Sequence, residues 1–178
     1  MLVLVGKTCS GKSTVAKILE KRGYNRIVTY TTRPKRAGEA DGIDYHFITV
    51  EDFLKRRENG FFAETAEYDA SFGHCYYGSA KADYTADKSV IVLNPKGIKQ
   101  VLSSGLKPTV IYLNAADTLL KERAIARGDK PEEISRRLLS DEKQFAGIEQ
   151  YADYTITIMG DLTAEESADM ILGLISRQ

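Results

Sequence analysis

Eight residues near the N-terminus, Gly6-Lys7-Thr8-Cys9-Ser10-Gly11-Lys12-Ser13, are spaced as G-x-x-x-x-G-K-[ST]. Between a strand and a helix, that spacing suits a chain of phosphates. The glycines let the backbone turn until successive N–H groups face one concave point. A helix starting there adds its unsatisfied N–H groups and the positive end of its dipole. Lys12 has the length to reach β- and γ-phosphates, and the Ser13 hydroxyl is a ligand for Mg²⁺. The expected ATP-contacting set is Gly6, Lys7, Thr8, Cys9, Ser10, Gly11, Lys12, Ser13 and Thr14, with Ser13 also on the metal. Cys9 is read as filling space, although a helix N-terminus lowers thiol pKa values.

A second concentration of chemistry runs from Thr29 to Phe47, TYTTRPKRAGEADGIDYHF. Arg33 and Arg36 are three apart, with hydroxyls upstream and Glu39 and Tyr45 downstream. Such a set can surround a phosphate monoester, because guanidinium forks bind its oxygens in pairs and a tyrosine adds a donor. On composition alone the same stretch reads as a solvated basic turn. Farther on, Arg123 and Arg127 are four apart and share a helix face. With Glu132 and Glu133 nearby, that face also reads as simply solvated.

These groups need elements to hold them. Leu2–Val5 is a short apolar run expected to be a buried strand, followed by an amphipathic helix over about Ser13–Arg22. Ser89–Leu93 and Pro108–Leu113 are further central strands, each leading into a helix near Pro95 and near Ala115. Pro131-Glu132-Glu133 opens another helix, with proline early and carboxylates at the positive end of the dipole. Tyr154–Ile158 is a last strand, and Thr163-Ala164-Glu165-Glu166 starts a closing helix with its own cap. This alternation is the α/β pattern. Between about Thr29 and Asp83 it gives way to a Tyr-, Thr- and Gly-rich region of short extended runs with one helix near Val50–Glu58, expected to be a small mixed or antiparallel insertion.

The order of residues in the Thr29–Phe47 stretch resembles the guanylate kinase family's S-x-T-T-R-x-x-R-x-G-E-x-x-G-x-D-Y-x-F, with threonine first, and it follows an intact P-loop as in that family. Phe61-Phe62-Ala63-Glu64 resembles F-[IL]-E, and Tyr76-Tyr77-Gly78-Ser79 resembles Y-Y-G-[ST]. The resemblance implies that Arg33, Arg36, Tyr45 and Tyr77 grip the phosphate of GMP and that Glu39 arranges the arginines. Thr29 and Ser79 would lie near the base and its phosphate, with Asn94 at the same site. Glu64 would read guanine, accepting from N1–H and the 2-amino group; adenine would leave that carboxylate unpaired, at about 1–3 kcal/mol. Arg123, Arg127 and Arg137, with Arg136 adjoining, match the lid that folds over the phosphates. Lys12, Arg36, Arg123, Arg127 and Arg137 form the expected catalytic set, and neither histidine, His46 or His74, receives a role. The implied fold is a P-loop NTPase-type parallel sheet with helices on both sides, carrying a small mixed α+β NMP-binding insertion and a short lid. Its parts would be a core at about 1–28, 85–114 and 141–178, an insertion at 29–84 and a lid at 115–140.

Three departures from the family pattern stand out. Asn94 replaces an acidic residue, and Met159-Gly160-Asp161-Leu162 replaces N-D-D-L, so methionine stands where an asparagine would contact adenine. The segment Asp69–Cys75 also lengthens the run between Glu64 and Tyr77.

With 178 residues the chain suits one domain. Its 25 basic and 25 acidic residues create no net field to recruit nucleic acid or an anionic membrane. No apolar run approaches the ~20 residues of a membrane span, and Cys9 and Cys75 read as reduced thiols of a cytoplasmic protein. The expected activity is Mg²⁺-dependent phosphoryl transfer from ATP to GMP, and to dGMP. The alternatives are a kinase for another nucleoside monophosphate and a non-catalytic binding module. Oligomeric state is left open.

Overall fold

The computed structural model describes residues 1–70, 73–160 and 162–176. In chain order its elements are β1 (Leu2–Val5), α1 (Lys12–Lys21), β2 (Asn25–Arg26), β3 (Tyr30–Thr31), β4 (His46–Phe47), α2 (Val50–Glu58), β5 (Phe62–Ala70), β6 (Gly73–Ala80), β7 (Ser89–Val92), α3 (Pro95–Ser103), β8 (Thr109–Ala115), α4 (Asp117–Ala126), α5 (Pro131–Gln144), β9 (Tyr154–Ile158) and α6 (Ala164–Ile175). Five strands form a parallel sheet in the order β2-β7-β1-β8-β9.

β1 is buried along its whole length because both faces of the sheet are covered. Leu2 and Leu4 point to one core with Val15 and Leu19 of α1, Leu120 of α4 and Ile171 of α6. Val3 and Val5 point to the other, with Ile98 and Val101 of α3 and Phe145 and Ile148. The fold is therefore the α/β sheet with helices on both sides that the sequence predicts. Local chemistry sets several boundaries. Pro131 occupies the first turn of α5, and the Thr163 hydroxyl and Glu166 carboxylate close a reciprocal capping box on α6. The helix expected near Ala115 begins at Asp117, because β8 stays paired with β9 as far as Ala115 and Ile158.

The change of pattern after Thr29 corresponds to a second, four-stranded mixed sheet, β4-β3-β6-β5. β3 and β4 run parallel, while β3–β6 and β5–β6 are antiparallel. Helix α2 covers one face through Phe53, which is fully buried and stacks on Phe62 and Tyr76 at centroid distances of 4.5 and 5.3 Å. The other face looks onto the parallel sheet. The long Asp69–Cys75 segment extends the β5–β6 hairpin, with pairing as far as Ala70 and Gly73; Ser71 and Phe72 lie outside the described residues. Gln100 of α3 ties the two sheets together. Its side-chain amide accepts from the Thr65 N–H at 3.1 Å and donates to the Thr65 carbonyl at 2.8 Å. Among the described residues no helix is long and apolar enough to cross a membrane.

Candidate active site

The phosphate loop leaves β1 and enters α1 where the motif requires. A Cβ on Gly6 would stand 2.6 Å from the Leu113 carbonyl oxygen, so only glycine lets the loop pass this close to β8. Gly11 is the N-cap of α1 and brings no side chain to the first turn, which leaves the turn's N–H groups to a ligand. Lys12 folds back over the loop, donating to the Lys7 carbonyl at 2.7 Å and to Ser10 Oγ at 3.3 Å. Desolvation lowers its pKa to about 8, against an opposing pull from Asp141. An anion placed beside Lys12 would raise that value again and favour its charged form.

Two hollows meet at this loop. One, of about 320 Å³, is lined by Cys9, Ser10, Gly11, Lys12, Ser13 and Thr14 together with Arg123 and Arg127 of the α4 region. Gly6 and Thr8 line the other, and Lys7 instead pairs with Asp117 at 2.8 Å. Leu162 and Ala164 close the far end of the first hollow, while Met159 is exposed; Asp161 lies outside the described residues.

The second hollow is a cleft of about 780 Å³ between the two sheets, a volume typical of small-molecule sites. It gathers Lys12, Ser13, Thr29, Arg33, Arg36, Glu39, Tyr45, Glu64, Tyr77, Asn94, Arg127 and Arg137, so residues spread over most of the chain face one space. Arg33 is buried and gripped by Glu39, with Nη1 at 2.7 Å, and its guanidinium lies 4.7 Å over the Tyr45 ring. Burial works against the arginine's charge, but the paired carboxylate more than offsets it and holds the pKa above the usual range. Glu39 is itself held low by that bond. It also accepts from the Arg36 backbone N–H at 2.8 Å, which leaves the Arg36 side chain exposed at the cleft mouth.

Glu64 owes its direction to an irregularity in β5. The register of the β5–β6 pair shifts between Phe62 and Glu64, inserting Ala63 as an extra residue. Such a bulge flips the alternation of the strand. Phe62 therefore packs on α2, while Glu64, Ala66 and Tyr68 all face the cleft. Glu64 is 4% exposed, and desolvation raises its pKa to about 7, with the Ser79 hydroxyl pulling the other way. Ser79, expected at the base, sits fully buried behind the carboxylate. It donates to Glu64 Oε1 at 2.7 Å and lies 2.7 Å from the Tyr84 hydroxyl, so it positions Glu64 and does not line the cleft.

Of the expected lid arginines, Arg127, Arg136 and Arg137 are restrained by carboxylates. Arg127 pairs with Asp129, and Arg137 donates to Glu133 at 2.7 Å and stands 3.6 Å from Asp129. Arg136 donates to the Asp69 carbonyl at 2.9 Å, joining α5 to the tip of the long hairpin. Its bond to Glu133 contributes most to holding that carboxyl at about 2. The histidines lie apart: His46 stacks on Tyr30, and His74 lies 2.7 Å from Asp69.

Among the cleft residues outside the expected set, Asp141 and Tyr68 bear most directly on its chemistry. Asp141 lines the cleft and accepts from the Thr8 N–H at 2.6 Å. Tyr68 lines it beside Asn94. Helical spacing of Asp141 from Arg137, and strand alternation of Tyr68 from Glu64, were the available signals.

The guanylate kinase family model matches residues 1–172. A guanylate kinase of Nitratidesulfovibrio vulgaris is 36% identical over 153 residues, 81% of this chain and 72% of that protein. One of Thermus thermophilus is 33% identical over 96% of this chain and 78% of its own length. The crystal structure of guanylate kinase from Anaplasma phagocytophilum is similar with a TM-score of 0.74 at 27% identity, covering 99% of this chain and 84% of that one. A shikimate kinase from Acinetobacter baumannii, at 17% identity and TM-score 0.56 over 99% of this chain and 92% of its own, shares the fold.

Proposed function

Because the chain belongs to the guanylate kinase family, we propose that it is an ATP:GMP phosphotransferase that moves the γ-phosphate of ATP to GMP, accepts dGMP as well, and requires Mg²⁺. The observation that carries this reading is a buried carboxylate, Glu64, facing the same cleft as the phosphate loop and the Arg33–Glu39 pair. A carboxylate can take both donors of guanine's N1–H and 2-amino edge, and burial makes an unpaired alternative costly.

In this reading Arg33, Arg36, Tyr45 and Tyr77 hold the acceptor phosphate, while residues Cys9–Thr14 hold the donor's phosphate chain. Lys12 would leave the Lys7 carbonyl for the β- and γ-phosphates, and Arg123, Arg127 and Arg137 would close over them. The acceptor needs no general base, since a phosphate monoester has its second pKa near ~6 and is largely dianionic at neutral pH. The protein's work is to bring two anions into line and to stabilise charge on the transferring group. Among the described residues no group of three acidic, histidine or cysteine side chains could hold a metal alone. That fits an ion carried mainly by phosphate oxygens and water, with Ser13 as the protein ligand. When bound, Mg²⁺ would neutralise charge on the β- and γ-oxygens. The parallel sheet would be the core, residues 29–84 the acceptor-binding part and residues 115–140 the lid, in a cytoplasmic enzyme.

The test is ADP release from ATP and Mg²⁺ with GMP, dGMP, AMP, UMP and CMP supplied separately. Turnover confined to the guanine nucleotides and abolished by Lys12→Met is expected. Preference for another monophosphate would overturn the acceptor reading, and no ADP with any acceptor would favour a binding module.

A further inference from the structure

Asn94 and Tyr68 form a polar pair at the base end of the cleft. Asn94 is the N-cap of α3, and its Oδ1 accepts from the Gly97 N–H at 2.6 Å. That bond decides which end of the amide is oxygen. Nδ2 therefore points away from the helix, where it donates to the Tyr68 hydroxyl oxygen. With its oxygen engaged as an acceptor, the phenol is biased to donate its own hydrogen outward. The second hydrogen of Asn94 Nδ2 adds another donor.

The position of this pair follows from Gly97. A point above its Cα, where a Cβ would stand, is 3.1 Å from Glu64 Oε2 and 3.3 Å from Asn94 Oδ1. Glu64 Oε2 therefore neighbours Asn94, and Asn94 is bonded in turn to Tyr68, so an acceptor adjoins donors on the cleft wall. The Gln100–Thr65 bonds hold α3 against β5 and keep that order. The Tyr68 ring is fixed edge-on to Tyr77 at 5.6 Å. A guanine base presents the complementary order along one edge: 2-amino and N1–H as donors, then the 6-oxo group as acceptor.

Resting on the guanine reading of Glu64, we propose that Tyr68, positioned by Asn94, determines specificity at the 6-position of the acceptor base by donating to its 6-oxo group. A 6-amino base would bring a donor against these donors and is rejected there, independently of Glu64.

The test compares wild type with Tyr68→Phe, using GMP, IMP and 2-aminopurine riboside 5′-monophosphate, which lacks the 6-oxo group and with it the N1–H, so each acceptor is compared with its own wild-type kcat/KM. Loss of one hydrogen bond should lower kcat/KM for GMP and IMP by about tenfold, mostly through KM. The 2-aminopurine nucleotide should be used as well as before, to within about twofold, and the KM for ATP should stay unchanged. Asn94→Ser, which keeps a helix cap but removes Nδ2, should reproduce part of the loss on the two 6-oxo acceptors. Equal losses on all three acceptors, or none, in Tyr68→Phe would overturn the role of Tyr68 while leaving the guanine reading intact. A wild-type enzyme that prefers a monophosphate other than GMP would overturn the guanine reading first.

Discussion

The carboxylate of Asp141 accepts a hydrogen bond from the Thr8 backbone N–H at 2.6 Å, placing an acidic side chain of α5 inside the phosphate loop at the junction of the two hollows. A phosphate oxygen seeking that N–H must displace a like charge. Asp141 also supports the charge on Lys12, so the two effects oppose each other.

We expect displacement to dominate for the nucleotide, because a phosphate chain brings Lys12 a far closer anion than Asp141. Asp141→Asn should then lower the KM for ATP by about fivefold, roughly 1 kcal/mol of relieved repulsion across a partly hydrated site. Steady-state kinetics with GMP saturating would check it. A higher KM would mean that Asp141 serves the bound nucleotide.

Glu64 gives a pH dependence with a definite sign. Its pKa in the folded protein, about 7, lies above the usual carboxyl value. Guanine needs the ionised form, so the KM for GMP should rise as pH falls below 7, approaching about tenfold per unit, while the KM for ATP does not follow. Glu64→Gln should lower kcat/KM for GMP by about 100-fold and flatten the part of its profile that Glu64 contributes, between about pH 6 and pH 8.

The same shift acts on stability. A raised folded-state pKa means that folding favours the protonated carboxyl. Its stabilising contribution is complete below the unfolded value of about 4.3 and is lost as pH rises through 7. Glu64→Gln should therefore raise Tm relative to wild type more at pH 8 than at pH 6, measured by thermal melts. An equal change at both pH values would show that Glu64 does not titrate in this window.

Gly97→Ala separates stability from binding. Alanine favours the helix by about 1 kcal/mol, yet its Cβ would press on Glu64 Oε2 at 3.1 Å and Asn94 Oδ1 at 3.3 Å. The melting temperature should hold or rise while the KM for GMP increases about tenfold. Unchanged kinetics would show that Glu64 can yield without cost.

Arg33→Lys keeps the charge but loses the planar fork that Glu39 grips and the face that lies over Tyr45. The KM for GMP should rise by about 30-fold or more, with the KM for ATP unaffected. Titrating both substrates would distinguish this from general unfolding.

Much of the architecture was legible because its causes are local. The G-x-x-x-x-G-K-[ST] spacing, Pro131 at the start of α5 and the Thr163–Glu166 box act within a few residues, and they stand where the sequence predicts. Apolar runs identified the central parallel strands β1, β7 and β8, since a strand covered on both faces must be apolar throughout. The short edge strand β2 gave no such signal. The order of the arginines, Tyr45 and Glu64 marked the residues that line the cleft.

What remained hidden depends on partners far along the chain. The bulge at Ala63 that turns Glu64 toward the cleft exists only in pairing with β6, and simple alternation cannot reveal it. Ser79 belongs to the right motif but stands behind Glu64, because Tyr84 and the carboxylate surround it. Asp141 meets Thr8 across 133 residues, and Asn94 meets Tyr68 across 26. By itself the sequence determined the phosphate loop, the starts of α5 and α6 and the roster of charged groups, through backbone chemistry that needs no distant neighbour. Only the tertiary structure decided which of those groups face one another, because direction, burial and the order of donors and acceptors arise where separate elements pack.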